Sequence, residues 1–193
     1  MGDAAYGAPA EEKAEPEASA EEKQRADAQG AGEQLRIRSE RFEDWFYRCV
    51  KADGEDGKAA KRCEVVQIAQ TKHEGRTINL LTISFSESQE SKSKKNDTVI
   101  TVLTPQNVYL PDGLKLGVDK NEKMILEFRN CNNAGCWAQH LLTTKMLKSF
   151  EKGQFGYGHI QLINGQNINI KFSLKGLGAA LSAMKSGKLP DPS

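Results

Sequence analysis

The four cysteines of this 193-residue chain constrain its fold more than any other feature. They form two local pairs, Cys49 with Cys63 and Cys131 with Cys136, which lie far apart in the sequence. An even number of cysteines in close pairs is typical of a disulfide-bonded domain, and disulfides persist in oxidising compartments. The sequence therefore predicts two disulfides that involve Cys49, Cys63, Cys131 and Cys136, in a protein that works outside the cytoplasm.

A metal site built from the same four cysteines is the competing interpretation. Structural zinc sites usually place about two to four residues between paired ligands, whereas thirteen residues separate the first pair here and four separate the second. The histidines His73, His140 and His159 stand at no ligand spacing. Disulfides are therefore favoured, and no metal or other cofactor is predicted. A nucleophilic cysteine is disfavoured as well, because the sequence shows no accompanying base and orienting group.

Composition limits the classes of partner. Hydrophobic residues make up 38% of the chain and the formal net charge is +1. This balance gives no indication of nucleic-acid binding or of strong attraction to a membrane surface, and no apolar run is long enough to span a bilayer. The start Met1-Gly2-Asp3 lacks the basic and apolar regions of a signal peptide. If the disulfides form, we therefore expect that an export signal has been removed.

The composition also divides the chain into one domain and two tails. Residues 1–34 are rich in Ala, Glu, Lys and Gln and almost free of large apolar side chains. Such a segment buries too little surface to offset the entropy cost of ordering it, so it is predicted to be a disordered tail. The folded domain is predicted over residues 35–188, and residues 189–193 are predicted to be a second short tail.

Within the domain, strand-like runs are separated by turn signals about every ten residues, a spacing typical of an antiparallel β-sandwich. The clearest alternation places Ile168, Ile170, Phe172 and Leu174 on one face. We predict a mainly β fold of about nine strands, drawn from the ranges 42–50, 63–70, 77–85, 98–103, 108–110, 114–118, 124–129, 137–142, 158–163 and 167–174. Apolar residues at helical spacing predict short helices over 143–152 and about 177–187.

Two smaller patterns are interpreted as structural. Trp45 and Trp137 each stand near a cysteine and are predicted to pack in the core beside a disulfide. Gly153, Gly156 and Gly158 are spaced differently from the glycines of nucleotide-binding loops, and no Lys-Ser or Lys-Thr follows them. These three glycines are therefore predicted to lie in turns.

The most specific pattern is a set of short motifs spread over residues 42–184. In this order and at these spacings they resemble the invasion-associated locus B family of secreted and periplasmic bacterial proteins. The motifs are Asp44-Trp45, Cys49, Cys63, Gln67, Leu110-Pro111, Gly113, Leu116-Gly117-Val118, Cys131, Gly135-Cys136, Ala138, Ser173-Leu174-Lys175-Gly176 and Ala179-Ala180-Leu181.

The resemblance implies an immunoglobulin-like β-sandwich, disulfides at the four cysteines, and a location in the periplasm or on the outer surface of a Gram-negative bacterium. The family takes its name from a link to the invasion of red blood cells. We therefore expect an exported, non-catalytic binding protein whose partner is a protein or envelope component, the host-cell surface included. An envelope enzyme, an enzyme inhibitor or a small-ligand carrier with a loop-built site remains the alternative. Lys92, Lys94 and Lys95 are predicted to lie in an exposed loop rather than to bind anionic lipid or sugar.

Overall fold

The computed structural model describes residues 37–53, 59–88, 97–119 and 124–188, with the backbone alone at 51–53, 59–61 and 73. The predicted tails 1–34 and 189–193 and the lysines of the 89–96 segment lie outside these ranges. The strands described are β1 (Ile37–Phe42), β2 (Trp45–Asp53), β3 (Ala59–His73), β4 (Arg76–Glu87), β5 (Thr98–Thr104), β6 (Leu114–Val118), β7 (Met124–Asn132), β8 (Gly135–Leu141), β9 (Phe155–Gln161) and β10 (Asn167–Ser173). The helices are α1 (Thr144–Lys152) and α2 (Leu177–Lys185), and a 3-10 helix spans Leu110–Asp112.

All ten strands belong to one antiparallel sheet in the order β1-β2-β3-β4-β5-β8-β7-β6-β9-β10. The first five strands pair in sequence order. The chain then crosses to β6, and β7 and β8 return so that β8 pairs with β5. Helix α1 connects β8 to β9, which adds to the other side of β6. Strands distant in sequence thus become neighbours in the second half of the sheet.

The sheet curls so that its two halves face each other across one core. The indole Nε1 of Trp45 in β2 donates a hydrogen bond to the carbonyl oxygen of Ser173 in β10, at 3.1 Å. A methyl group added at Gly158 of β9 would lie 2.8 Å from a terminal carbon of Leu81 in β4. These contacts join opposite halves, so the structure is a sandwich made from one continuous sheet. The prediction of a mainly β, antiparallel sandwich with two short helices is confirmed.

Three aromatic rings fill the centre of the core. The ring centroids of Trp45 and Phe85 are 5.5 Å apart, and those of Phe85 and Phe150 are 5.4 Å apart. Both pairs meet edge to face, the arrangement that aromatic quadrupoles favour, and all three side chains are fully buried. Because Trp45 is in β2, Phe85 in β4 and Phe150 in α1, this cluster fastens the first helix to the sheet.

Strand β9 contains glycines where the sequence predicted turns, and for two of them that prediction is wrong. Gly156 and Gly158 lie inside the strand and face the core. A methyl group at Gly156 would lie 2.0 Å from the ring of Phe172 in β10, so the ring occupies the space that a side chain would need. The third glycine, Gly153, follows the last residue of α1 and donates its N–H to the carbonyl oxygen of Ser149. Close packing therefore explains two of these glycines and a helix end explains the third.

Helix α2 covers one end of the sandwich. The helix packs against β2 and β3. Its buried residues recur at the spacing of one helical face; they are Leu177, Ala180, Leu181 and Met184. Gly176 precedes the helix with a φ of 88°, in the left-handed region that glycine adopts readily. A methyl group there would also lie 2.1 Å from the carbonyl oxygen of Phe42, so the tight connection requires glycine.

Two local strand predictions are wrong. The run 42–50 was predicted as one strand, but β1 and β2 are separated by a two-residue turn at Glu43 and Asp44. Glu43 takes a φ of 54°, which is uncommon for a residue other than glycine, so the sequence gives little sign of the turn. The predicted strand over 108–110 is also absent from the described fold. Val108 forms a single bridge with Leu162, and the 3-10 helix begins at Leu110.

Candidate functional site

The four cysteines form two separate bonds in different parts of the sheet. Cys49 and Cys63 face each other across the β2–β3 pair and are bonded, and Cys131 and Cys136 face each other across β7 and β8 and are bonded. Strands β4 and β5 lie between the two pairs of strands. The cysteines therefore act as two independent crosslinks, and the geometry does not bring them together as ligands of one metal.

The two tryptophans take different positions beside these bonds. Trp45 lies in the core, as predicted. Trp137 does not, because its neighbours Cys136 and Ala138 both point inward and alternation along β8 directs the tryptophan to the outer face. There its side chain is partly exposed. The prediction that Trp137 packs in the core is wrong for this reason of strand register.

A concave surface lies on the outer face of β6, β9 and β10. We call it the outer groove and define it by Gly117, Tyr157, His159, Asn169 and Lys171. Its volume is about 400 Å3. Strand pairing places Gly117, Tyr157 and Lys171 side by side in one row and puts His159 beside Asn169 in the next. Because Gly117 has no side chain, its backbone forms the floor of the groove and the neighbouring side chains form the walls.

Contacts within the outer groove fix its polar groups. The Nδ1 atom of His159 lies 2.8 Å from Oδ1 of Asn169. The two groups are within hydrogen-bonding distance, so the imidazole and the carboxamide orient each other. The ammonium of Lys171 lies 3.5 Å from the ring centroid of Phe155, a cation–π contact. The ring of Tyr157 is 37% exposed, so it offers an aromatic surface between a fixed imidazole–amide pair and a positive charge.

Three lysines of α1 extend the surface beyond the groove. Lys145, Lys148 and Lys152 are exposed on one face of the helix, and we call them the lysine row. Thr143 caps the helix by accepting a hydrogen bond from the N–H of Met146 at 3.3 Å. The buried Phe150 anchors the opposite face of the helix. The helical backbone and the buried ring of Phe150 therefore fix the position of the lysine row.

Asp119 joins the lysine row to the outer groove. Its carboxylate accepts hydrogen bonds from the main-chain N–H groups of Gln154 at 3.2 Å and Phe155 at 3.0 Å. The residue lines both the concave surface beside the lysine row and the outer groove itself. These bonds fix the connection from α1 to β9, so the two surfaces are held next to each other.

Two further concavities lie near the ends of β3 and β4. One is lined by residues that include Arg62, Glu87, Arg129 and His140. The other contains Tyr47, whose phenol donates a hydrogen bond to the carbonyl oxygen of Lys188 at 3.0 Å. Both concavities are lined by Ser88, which is the last described residue before residues 89–96. We therefore assign no site there.

Tyr47 is a structural group rather than a reactive one. Burial raises the pKa of its phenol, and the negative charges of Glu87 and Glu40 raise it further. The phenol therefore stays protonated at neutral pH and continues to donate its hydrogen bond to Lys188. Its effect is to hold the end of the described chain against β2.

The chemistry of the outer groove is that of a binding surface. It offers an aromatic ring, an imidazole, a carboxamide and an ammonium, which can stack, exchange hydrogen bonds and contact an anion. Among the groove residues there is no serine or cysteine nucleophile next to a base. Within the described ranges, no three His, Cys, Asp or Glu side chains cluster as metal ligands. The groove can therefore offer stacking, hydrogen-bonding and ionic contacts to a molecule that enters it.

The sequence alone predicted which side chains of β10 face outward, but it did not predict the outer groove. The alternation of β10 correctly placed Asn169 and Lys171 on the outer face. The alternation of β9 could have placed Tyr157 and His159 there, but the prediction began that strand only at residue 158. Nothing in the sequence shows that Gly117 of β6 would become a neighbour of Tyr157, because that contact depends on strand order.

Fold and site together define a class: an antiparallel β-sandwich with two disulfide-bonded strand pairs and a polar groove on its outer face. A family model described as invasion associated locus B (IalB) protein matches residues 45–185. The chain belongs to this family, and the predicted family resemblance is confirmed.

A solved structure shows the same fold. The crystal structure of invasion associated protein B from Bartonella henselae matches with a TM-score of 0.61 and 14% sequence identity, over 77% of this chain and 96% of that one. At this identity the likeness concerns the fold. Among curated proteins, none matches the chain. In the described ranges, no helix is both long and apolar enough to cross a bilayer.

Proposed function

We propose that this protein is an exported, non-catalytic binding protein of a Gram-negative envelope, with the outer groove as its ligand-binding surface. One observation carries the proposal: strand pairing sets Tyr157 and Lys171 beside each other on an exposed face, next to the His159–Asn169 pair. An exposed aromatic ring among oriented polar groups is an arrangement suited to recognition. It is not explained by packing, because these side chains face away from the core.

The sulfur chemistry supports the proposed location. Disulfides are rare in reducing cytoplasm and stable in the periplasm and on cell surfaces. This chain holds two, and no free thiol is described. An exported protein would form both bonds during or after translocation. The periplasm or the outer surface is therefore the proposed location.

Fractionation of the source bacterium tests this location. We expect the protein in the periplasmic or outer-membrane fraction, with all four cysteines protected from alkylation until a reductant is added. The same chain produced in a reducing cytoplasm is the matched control, and its cysteines should react at once. Recovery of the native protein in the cytosol with reactive thiols would contradict the proposal.

A role in host-cell invasion is the second part of the proposal. It is supported by the family to which the chain belongs and by the name of its structural relative, an invasion associated protein. The physical step that we propose is attachment to a host-cell surface through the outer groove. Red blood cells are the first target to test, since the family is linked to their invasion.

The binding of purified, oxidised protein to red blood cells tests this step. We expect saturable binding that Tyr157→Ala weakens by about tenfold or more, because large aromatic side chains often carry much of the energy of a contact. Tyr109→Ala is the matched control, since Tyr109 is 43% exposed and lies outside the groove. Equal binding by the two variants, or no binding by the unmodified protein, would contradict attachment through this surface.

The alternative of a small-ligand carrier has little support in the interior. A carrier needs a cavity between the layers, and the centre of this sandwich is occupied by the rings of Trp45, Phe85 and Phe150. An enzyme would need convergent groups with nucleophilic or acid–base roles. The outer groove presents His159 bonded to an amide rather than to a nucleophile. Binding is therefore the function that the geometry favours.

A further inference from the structure

We propose that the outer groove and the lysine row together bind a linear sulfated polysaccharide. The proposal rests on the proposed function in one respect, that the groove is the ligand-binding surface, and it names the chemical class of the ligand. It does not depend on whether attachment leads to invasion.

The first observation is uncompensated positive charge. Lys145, Lys148, Lys152 and Lys171 are all exposed, and none forms an ion pair within the described part of the chain. Three other described lysines are each paired with a carboxylate. These pairs are Lys115 with Asp112 at 3.8 Å, Lys175 with Glu43 at 3.1 Å and Lys185 with Glu151 at 2.9 Å. Ammonium groups without an ion-pair partner among the described residues are thus collected along one surface.

Among the described residues that line this surface, one is acidic, and its carboxylate is already engaged. The carboxylate of Asp119 accepts hydrogen bonds from the main-chain N–H groups of Gln154 and Phe155. Its charge is therefore directed toward the backbone at the start of β9. The four lysines outnumber it along the described surface, so the surface attracts anions although the chain as a whole carries only +1.

The second observation is the length of the surface. From Lys145 to Lys152 the helix rises by about 10 Å, at about 1.5 Å per residue. From Gly117 to Lys171 the groove crosses two strand spacings, which is again about 10 Å. Asp119 lines both parts, so they are continuous. The ligand that fits is an extended chain with several anionic groups rather than a single small anion.

The third observation is the kind of polar group between the charges. His159 and Asn169 can exchange hydrogen bonds with hydroxyl groups, and the exposed ring of Tyr157 can lie against the apolar face of a sugar. All four cations are lysines, whose ammonium groups act as point charges toward an anionic group. Sulfate groups on a polysaccharide match this combination.

The same surface fits a single-stranded nucleic acid less well. Strand-binding grooves stack successive bases on several aromatic rings. Here Tyr157 is the one aromatic ring among the described residues that line the groove. Phe155 lies next to it and is equally exposed, at 37%, with the ammonium of Lys171 3.5 Å from its ring centroid. A flat bilayer is disfavoured too, because the groove floor at Gly117 lies below the surrounding side chains and is buried.

The test is titration of the full, oxidised chain with a size-fractionated heparin oligosaccharide, which serves as the sulfated probe. We expect binding that weakens as salt is raised and that is lost with the chemically desulfated oligosaccharide. Lys148→Gln/Lys152→Gln is expected to lower the affinity about 25-fold, at about fivefold for each lysine near an anionic surface. The matched control is Lys72→Gln/Lys188→Gln, which removes two exposed lysines outside the surface and should change the affinity less than twofold, a marginal effect for distant charges.

Three outcomes would overturn the inference. They are equal losses in the two double variants, binding that does not depend on sulfation, and tighter binding to a single-stranded oligonucleotide or to phosphatidylglycerol vesicles. All substitutions are at exposed side chains, so the variants should fold, and thermal melting checks this.

Failure of the inference can be told apart from failure of the proposed function. Cell binding that requires Tyr157 but persists after enzymatic removal of sulfated glycans would sink the inference and leave the groove as the binding surface. Binding of heparin through the lysine row without any attachment to cells would do the reverse. In that case the proposed host-cell role fails and the assigned ligand class stands.

Discussion

Phe85→Ala is expected to destabilise the protein by about 3–5 kcal/mol, the usual cost of removing a buried phenylalanine. The side chain is fully buried and makes edge-to-face contact with both Trp45 and Phe150. The substitution removes transfer energy and two aromatic contacts, and it leaves a cavity between β2, β4 and α1. Urea unfolding measures the loss as a lower midpoint at an unchanged slope.

Phe46→Ala is the matched control for this prediction. Phe46 is 42% exposed, and the guanidinium of Arg41 lies 5.7 Å from its ring centroid. We expect a loss of about 1 kcal/mol or less, as for most exposed positions. If Phe85→Ala does not fold, Phe85→Leu provides a milder change with an expected cost of about 1–2 kcal/mol. Equal costs at positions 85 and 46 would show that the ring cluster is not the centre of the core.

The second large effect is expected from the crosslink between β2 and β3. Cys49→Ala/Cys63→Ala opens a loop of 15 residues, counting both cysteines, which stand 14 apart in the sequence. In the chain-entropy model this costs about 3 kcal/mol, because the unfolded chain regains freedom. The side chain of Cys49 is only 2% exposed, so the change also disturbs packing in the core. Thermal melting of the double variant measures the loss.

The bond between Cys131 and Cys136 provides an internal comparison. It closes a loop of only six residues, because the two cysteines are 5 apart in the sequence. The same model gives about 2 kcal/mol for Cys131→Ala/Cys136→Ala, and Cys131 lies exposed at the surface. We expect the first crosslink to matter more. An unchanged melting curve in excess reductant, with all four thiols shown to be free, would refute the stabilising role of both bonds.

Local patterns of the chain predicted much of the fold. Alternation in β10 identified its inward residues correctly because a strand directs successive side chains to opposite faces. Apolar residues at helical spacing, followed by Gly153, identified α1 for the same kind of reason. The missed turn between β1 and β2 contains neither glycine nor proline. The predicted strand over 42–50 therefore matched most of β2 but missed both this turn and residues 37–41 of β1.

The candidate site was harder to predict because its members come from distant parts of the chain. Gly117 and Tyr157 are neighbours only because β9 pairs with β6, and Lys171 joins them only because β10 pairs with β9. Each of these residues alone is an ordinary surface or strand residue. The lysine row was visible as charged positions in a predicted helix, but its closeness to the groove depends on Asp119 and on the contact of Phe150 with Phe85.

The sequence by itself determined the antiparallel sandwich, its two short helices, and the family to which the chain belongs. It could do so because side-chain periodicity and motif spacing are properties of neighbouring residues. Only the tertiary structure decided that one continuous sheet curls on itself and that β6, β9 and β10 lie side by side. Strand order is set by which faces bury the most apolar surface together, and that choice involves the whole chain at once.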